Sequence, residues 1–225
     1  KTINVTSNTT APTVSINNPE TITCSKKTVT LSANATNVNY KWSNGNTSKS
    51  FSTTVAGIYS LSVTATSNGC TASASKTVNQ DITNPTLVLQ NNLALNCNIP
   101  NKVVTASVTA KDGHAVNYAW SDGSSNSDLN ISTQGNYSVV VTDQINSCSA
   151  SANISVTDDK VKPTVTLSTP NKLNCDNPHS PITASATNVT FAWNNNLGSD
   201  SEIVATHSGT YVVTVTSKTN GCTNT

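Results

Sequence analysis

The chain has no methionine, only two phenylalanines, and charged residues make up just 10% of its 225 positions. Ordinary domains carry about 25% charged residues, and here Thr, Ser and Asn fill the gap. A net charge of +1 with no basic cluster leaves no electrostatic footprint for nucleic acid or an anionic lipid surface. No apolar run approaches the roughly 18 residues of a membrane span, and no stretch has the apolar period of a helix. No leader peptide is visible; Lys1 opens within a strand-like pattern, as in a segment of something longer.

What is present is a unit written three times. YKWSNG from Tyr40 returns as YAWSDG from Tyr118 and FAWNNN from Phe191. Each is followed by a Gly-x-Tyr step and a cysteine. From Trp to Tyr the copies run 17, 17 and 18 residues, and from Tyr to Cys 11 in each. A fixed period in so polar a chain means one structural unit repeated. The divisions are residues 11–84, 85–162 and 163–225. Residues 1–10 match the closing segments that begin at Ser75 and Ala152, so they read as the last strand of a preceding repeat. The third repeat correspondingly lacks its own closing strand.

Within each repeat, Pro12, Pro85 and Pro163 open a short alternating strand suited to an edge. A second strand alternates strictly, with Val29, Leu31 and Ala33 inward (Val104, Ala106, Val108; Ile182, Ala184, Ala186). One packed and one wet face is the pattern of antiparallel sandwiches. The third strand carries Trp42, Trp120 and Trp193 and ends in Asn/Asp/Gly turn chemistry. A fourth includes Phe51, Leu129 and Ile203, and the fifth opens at Tyr59, Tyr137 and Tyr211. Lys76 falls where Ile154 places an inward apolar residue, which predicts a bulge or frayed end.

Six cysteines, two per repeat (Cys24 and Cys70, Cys97 and Cys148, Cys175 and Cys222), read as disulfides formed in an oxidising setting. Zinc suits them poorly, with no CxxC and no matching histidine. Between Trp and Tyr there is room for one full strand. Six strands reversing at every turn put both cysteines of a repeat at the same end, which favours pairing within each repeat. An odd count, with a short extra strand near Asn44 to Ser48, makes cysteines of neighbouring repeats meet instead. A chain entering at one end and leaving at the other needs that odd count.

A repeated unit with an activity would repeat its acid or base. His114, His179 and His207 occupy non-equivalent places, so no enzyme, cofactor or metal is expected. Asp81, Asp158 and Asp159 near the repeat boundaries raise calcium, but so few carboxylates are thin for an ion wanting six to eight oxygens. Outward Thr and Ser read as solvated strand faces. The insertion Lys111, Asp112, Gly113, His114 and Ala115 in the second repeat is the best candidate for a binding loop.

The buried-Trp and Gly-x-Tyr pattern resembles the immunoglobulin-like sandwich with its tyrosine corner. Taken with P-T-V, Y-x-W-S-[ND]-G and [NS]-[GS]-C, the whole chain resembles tandem Ig-like repeats related to polycystic-kidney-disease-type domains. Such repeats occur in giant surface adhesins of Bacteroidetes exported by the type IX pathway. The resemblance implies an all-β fold of three Ig-like sandwiches in an extended rod. It implies an extracellular, cell-surface segment serving as spacer or adhesive. Its expected partners are neighbouring repeats, a surface glycan or protein bound through inter-strand loops, and head-to-tail copies joined by residues 1–10.

Overall fold

A computed structural model describes residues 1–90 and 92–225. The described residues are all-β apart from single 3-10 turns at Lys111–Gly113 and Asn194–Asn196. The first repeat contains β1 (Ser15–Ile16), β2 (Val29–Asn34), β3 (Val38–Trp42), β4 (Ser50–Thr53), β5 (Gly57–Ala65) and β6 (Thr71–Val78). The second contains β7 (Thr86–Val88), β8 (Leu93–Asn96), β9 (Lys102–Thr105), β10 (Ser107–Thr109), β11 (Val116–Trp120), β12 (Asp128–Ile131), β13 (Gly135–Asp143) and β14 (Ser149–Asp159). The third contains β15 (Thr166–Leu167), β16 (Ser180–Ser185), β17 (Val189–Trp193), β18 (Glu202–Ala205), β19 (Val213–Ser217) and β20 (Thr223–Asn224). Two compact units result: residues 1–87, 108–117 and 140–150, and residues 88–107, 118–139 and 151–225.

In the first unit, β1-β2-β4 form one sheet and β3-β5-β6 another. Their alternating inner faces meet in a core of Leu31, Trp42, Leu61, Val63 and Val78. After Ile16 the chain leaves β2 and crosses Pro19. Ile22 then pairs in parallel with Gln80, just past β6, so the opening strand serves both sheets. In the second unit β15-β16-β18 and β17-β19-β20 repeat the arrangement around Trp193, Ile182, Ile203 and Val215. There too β14 and β8 pair in parallel, Asp158 opposite Leu95. These are Ig-like sandwiches in tandem.

The strand directions correct the six-strand parity. β3 and β6 are both antiparallel to β5, β2 is antiparallel to both β1 and β4, and Ile22 is parallel to the end of β6. Hence β3 and β4, consecutive in the chain, run the same way. Residues 43–49 make the return stroke without forming a strand. Side chains satisfy that stretch instead: Asn44 Oδ1 accepts from the Asn46 amide at 3.1 Å and Asn46 Oδ1 from the Ser48 amide at 2.8 Å. The Trp42 indole donates to the Ser48 carbonyl at 2.9 Å. Local bonding of this kind competes with ladder formation. The opening strand and the closing strand therefore run in the same direction, and Cys24 and Cys70 stand at opposite poles of the first sandwich.

One smaller expectation also changes. Lys76 lies in register within β6, opposite Tyr59, half-buried and with no bulge. Residues 1–10 form no strand and are exposed.

Candidate site at the repeat junctions

Pairing of cysteines within a repeat is overturned. Cys24 bonds Cys148 in the first unit and Cys97 bonds Cys222 in the second, while Cys70 and Cys175 are free thiols. The cause is the strand parity: each bridge joins the turn before a second strand to the last hairpin turn of the following repeat.

Around each bridge the same small socket recurs. Asn146, two residues before Cys148, is buried. Its amide nitrogen donates to Asp81 Oδ1 at 3.1 Å and to the Thr83 carbonyl at 3.0 Å, and its Oδ1 accepts from the Cys148 amide at 2.8 Å. Its backbone carbonyl accepts the Cys24 amide at 3.1 Å. Asn220 does the same in the second unit. It donates to Asp159 Oδ1 at 3.0 Å and the Val161 carbonyl at 2.9 Å, and accepts from Cys222 at 3.0 Å and from the Cys97 amide at 3.0 Å. A third copy is half made: the Asn68 amide donates to Asn8 Oδ1 at 3.2 Å and the Thr10 carbonyl at 2.9 Å, and its Oδ1 accepts from Cys70. A buried Asn with its donors and acceptor all engaged fixes the geometry around it. The hairpin turn needs a left-handed residue before the cysteine, supplied by Gly69 (φ 74°), Ser147 (φ 58°) and Gly221 (φ 71°).

The insertion loop of the second repeat lies against the first of these sockets. Asp112 (φ 50°) and Gly113 (φ 74°) turn the backbone so that Lys111 Nζ reaches Asp81 at 3.3 Å. His114 Nδ1 reaches the buried Asp143 at 2.9 Å. Desolvation works to raise both carboxyls but is outweighed. Bonds from the Asn146 side chain and the Thr83 amide, with Lys111, leave Asp81 below the ordinary Asp range. The Asn146 and Ile145 amides, with His114, do the same for Asp143. Lys111, His114, Asn146, Asp81, Thr23 and Gln80 border a polar cleft of about 460 Å³. Asp112, Gly113 and Ala115 contribute shape to the loop.

The other expected residues are placed as follows. Trp42, Trp120 and Trp193 are buried, each indole donating to a carbonyl at 2.9 Å (Ser48, Asn126, Asp200). The hydroxyls of Tyr59, Tyr137 and Tyr211 donate to the carbonyls of Val55, Thr133 and His207, four residues back, at 2.9, 3.0 and 2.8 Å. The third repeat's longer Trp-to-Tyr spacing is taken up where Asn195 and Asn196, at φ 55° and 58°, make the turn that glycine makes elsewhere. Sequence reasoning missed Asn68, Asn146 and Asn220. The signal was available: an Asn stands two places before the second cysteine in every repeat. The junction carboxylates raised for calcium face Asn and Lys side chains, and no group of three metal-ligating side chains gathers among the described residues. No helix there is long and apolar enough to cross a membrane.

No family model and no curated protein matches the chain. Among solved structures it is similar to three N-terminal domains of the bacteriophage RB49 outer capsid protein Hoc, at 14% identity over 95% of this chain and 94% of that one, TM-score 0.37. The titin I-band fragment I67-I69 is similar at 10% identity over 95% and 96%, TM-score 0.42. Sidekick-1 immunoglobulin domains 1–5 are similar at 10% identity over 97% of this chain and 58% of that one, TM-score 0.37. Likenesses this distant carry no argument about function.

Proposed function

We propose that this chain is a non-enzymatic spacer segment of a longer extracellular surface protein, built from three Ig-like repeats at 11–84, 85–162 and 163–225. The single observation that carries the reading is where the staples lie. The bonds Cys24–Cys148 and Cys97–Cys222, with the buried Asn146 and Asn220, are spent on joints between successive repeats. A protein whose repeats work independently gains nothing from covalently fixed joints; one that holds something at a distance does. Disulfides of this kind persist in oxidising compartments, which supports an extracellular location. The motif resemblance supports a Bacteroidetes-type adhesin. Amide relaxation tests the reading. Residues 79–83 and 146–148 should show order parameters near the ~0.85 of rigid backbone, and values under about 0.6 would sink it.

A second reading is favoured by the polar cleft beside Lys111 and His114: recognition of a carbohydrate or protein through inter-strand loops. Alanine substitution across residues 111–114 should abolish glycan or cell binding on this reading. Unchanged binding would remove it.

A further inference from the structure

The insertion at residues 111–115 occurs in the second repeat alone, and it sets two side chains over a cleft that the joint does not need in order to close. We propose, resting on the recognition reading of this cleft and narrowing it, that the cleft binds a neutral sugar. Its ligand is a pyranose residue at the end of a glycan chain, held through its hydroxyls by Asp81, Lys111, His114 and Gln80.

The joint closes without these groups. In the second unit Asp159, at the place of Asp81, is held by Asn220 at 3.0 Å and faces no cation among the described residues. Ser217, at the place of Asp143, accepts the turn amides of Thr219 and Asn220 through its hydroxyl at 3.3 and 3.4 Å. Lys111 and His114 are therefore additions to a joint that is already complete.

Their free hydrogen-bonding capacity faces the cleft. His114 Nδ1 stands 3.2 and 2.9 Å from the two oxygens of Asp143. That carboxylate also accepts from the Ile145 and Asn146 amides at 2.8 and 3.1 Å, so it acts as an acceptor and the shared hydrogen sits on Nδ1. Nε2 is left without a protein partner. Asp158 Oδ1 is the single buried side-chain polar atom lacking one among the described residues, so Nε2 is open, and His114 borders this cleft. Lys111 Nζ spends one hydrogen on Asp81 Oδ2 at 3.3 Å and keeps others. The exposed Gln80 adds an amide that both donates and accepts.

Charge decides the class of ligand. Lys111 offsets Asp81, and His114 at most offsets Asp143, so the cleft has no surplus positive charge for an anion. A metal ion would find Asp81 facing an ammonium and Asp143 turned onto His114 and two amides, far from the six to eight oxygens that Ca²⁺ wants. What stands free is single donors beside single acceptors, which is the demand of hydroxyl groups, since each of them donates and accepts. Asp81 Oδ2 and Lys111 Nζ, 3.3 Å apart, suit two neighbouring ring hydroxyls. Ile145, 67% exposed, offers an apolar wall to the C–H face of the ring. The cleft measures about 460 Å³, inside the ~300–1,000 Å³ range of small-molecule sites, and it is open, which leaves the rest of a glycan a way out.

The test is amide chemical-shift titration of the whole chain with the methyl α- and β-pyranosides of glucose, galactose and mannose. A single sugar at ordinary ligand efficiency binds with a Kd on the order of 1 mM, so titration to about 50 mM saturates it. The expected result, with at least one glycoside, is saturable shifts at Gln80, Asp81, residues 111–114 and residues 145–146. Lys111→Met, which keeps the stem, should weaken that binding about tenfold, and Gln80→Ala about threefold. Both side chains are exposed, and unchanged spectra elsewhere in the chain report an intact fold. Absence of saturable shifts with every glycoside overturns the proposal. So does saturation at another place, binding indifferent to both variants, or tighter binding of glucuronate or calcium ion. The capped anomeric oxygen stands in for the glycosidic link, so a response to the free reducing sugars alone overturns the assignment to a glycan end. If the glycosides fail while alanine substitution across residues 111–114 still abolishes cell binding, the sugar assignment falls and the recognition reading stands. If both fail, the recognition reading falls with it.

Discussion

Asn146 and Asn220, both buried, each place a side-chain amide where two donors and an acceptor are needed at once. Asn146→Ala leaves Asp81, the Thr83 carbonyl and the Cys148 amide short of a partner, so we expect a loss of about 1–3 kcal/mol. Asn220→Ala should cost about the same, and urea titration measures both. The carboxylates beside the first socket carry a pH dependence. Asp81 and Asp143 have lowered pKa values, so the unfolded chain binds their protons more readily than the folded one. Their contribution is complete above the ordinary Asp range near 4 and is lost as pH falls through the lower folded values. Acid unfolding of the wild type should begin below about pH 4, and Asp143→Asn should flatten that limb. The sequence showed the socket asparagines as a bare regularity, N-G-C or N-S-C. It did not show their partners, because those lie some 60 residues earlier, in the preceding repeat.

Among the elements, the strands with alternating burial were legible because period 2 and a single packed face leave little choice. Val29, Leu31 and Ala33 face the core from β2, as do Tyr59, Leu61 and Val63 from β5. The return stroke from Ser43 to Lys49 was legible only as the less favoured odd count, with an extra strand near Asn44 to Ser48, since Asn and Ser side chains do there what a strand partner usually does. The tyrosine corners are readable in energy terms. Tyr59 spends its hydroxyl on Thr53 Oγ1 at 2.8 Å and the Val55 carbonyl and keeps its ring against Phe51. Tyr59→Phe should therefore cost about 0.5–1.5 kcal/mol. Trp42→Ala should cost about 3–5 kcal/mol, a difference resolvable by thermal denaturation.

Across the whole molecule, the three-fold period and the all-β class were readable from spacing alone, and the cysteine count announced disulfides. Their partners were not readable, because connectivity depends on strand direction, and one unpaired crossing in each repeat reverses the answer. Closing loops of 124 and 125 residues rather than some 47 raises the chain-entropy value only to about 5 kcal/mol per bridge. Stability alone did not choose between the patterns. Cys24→Ala with Cys148→Ala, which removes one bridge, should lower the unfolding free energy by up to that amount, and reduction, which opens both, by more, each read from the shift in denaturation midpoint.

Because Cys24, Cys97, Cys148 and Cys222 bond alternately, the two covalent loops overlap, and a pulled molecule behaves unlike a string of separately knotted beads. The shortest bonded route from Lys1 to Thr225 runs forward to Cys24, across to Cys148, back to Cys97 and across to Cys222. It spans roughly 77 peptide links instead of roughly 224, or about 270 Å fully drawn out. Severing either sulfur link alone lengthens the tether by only roughly 22 links, near 80 Å, since the other takes up the slack. Loops closed repeat by repeat would release roughly twice as much at each cut.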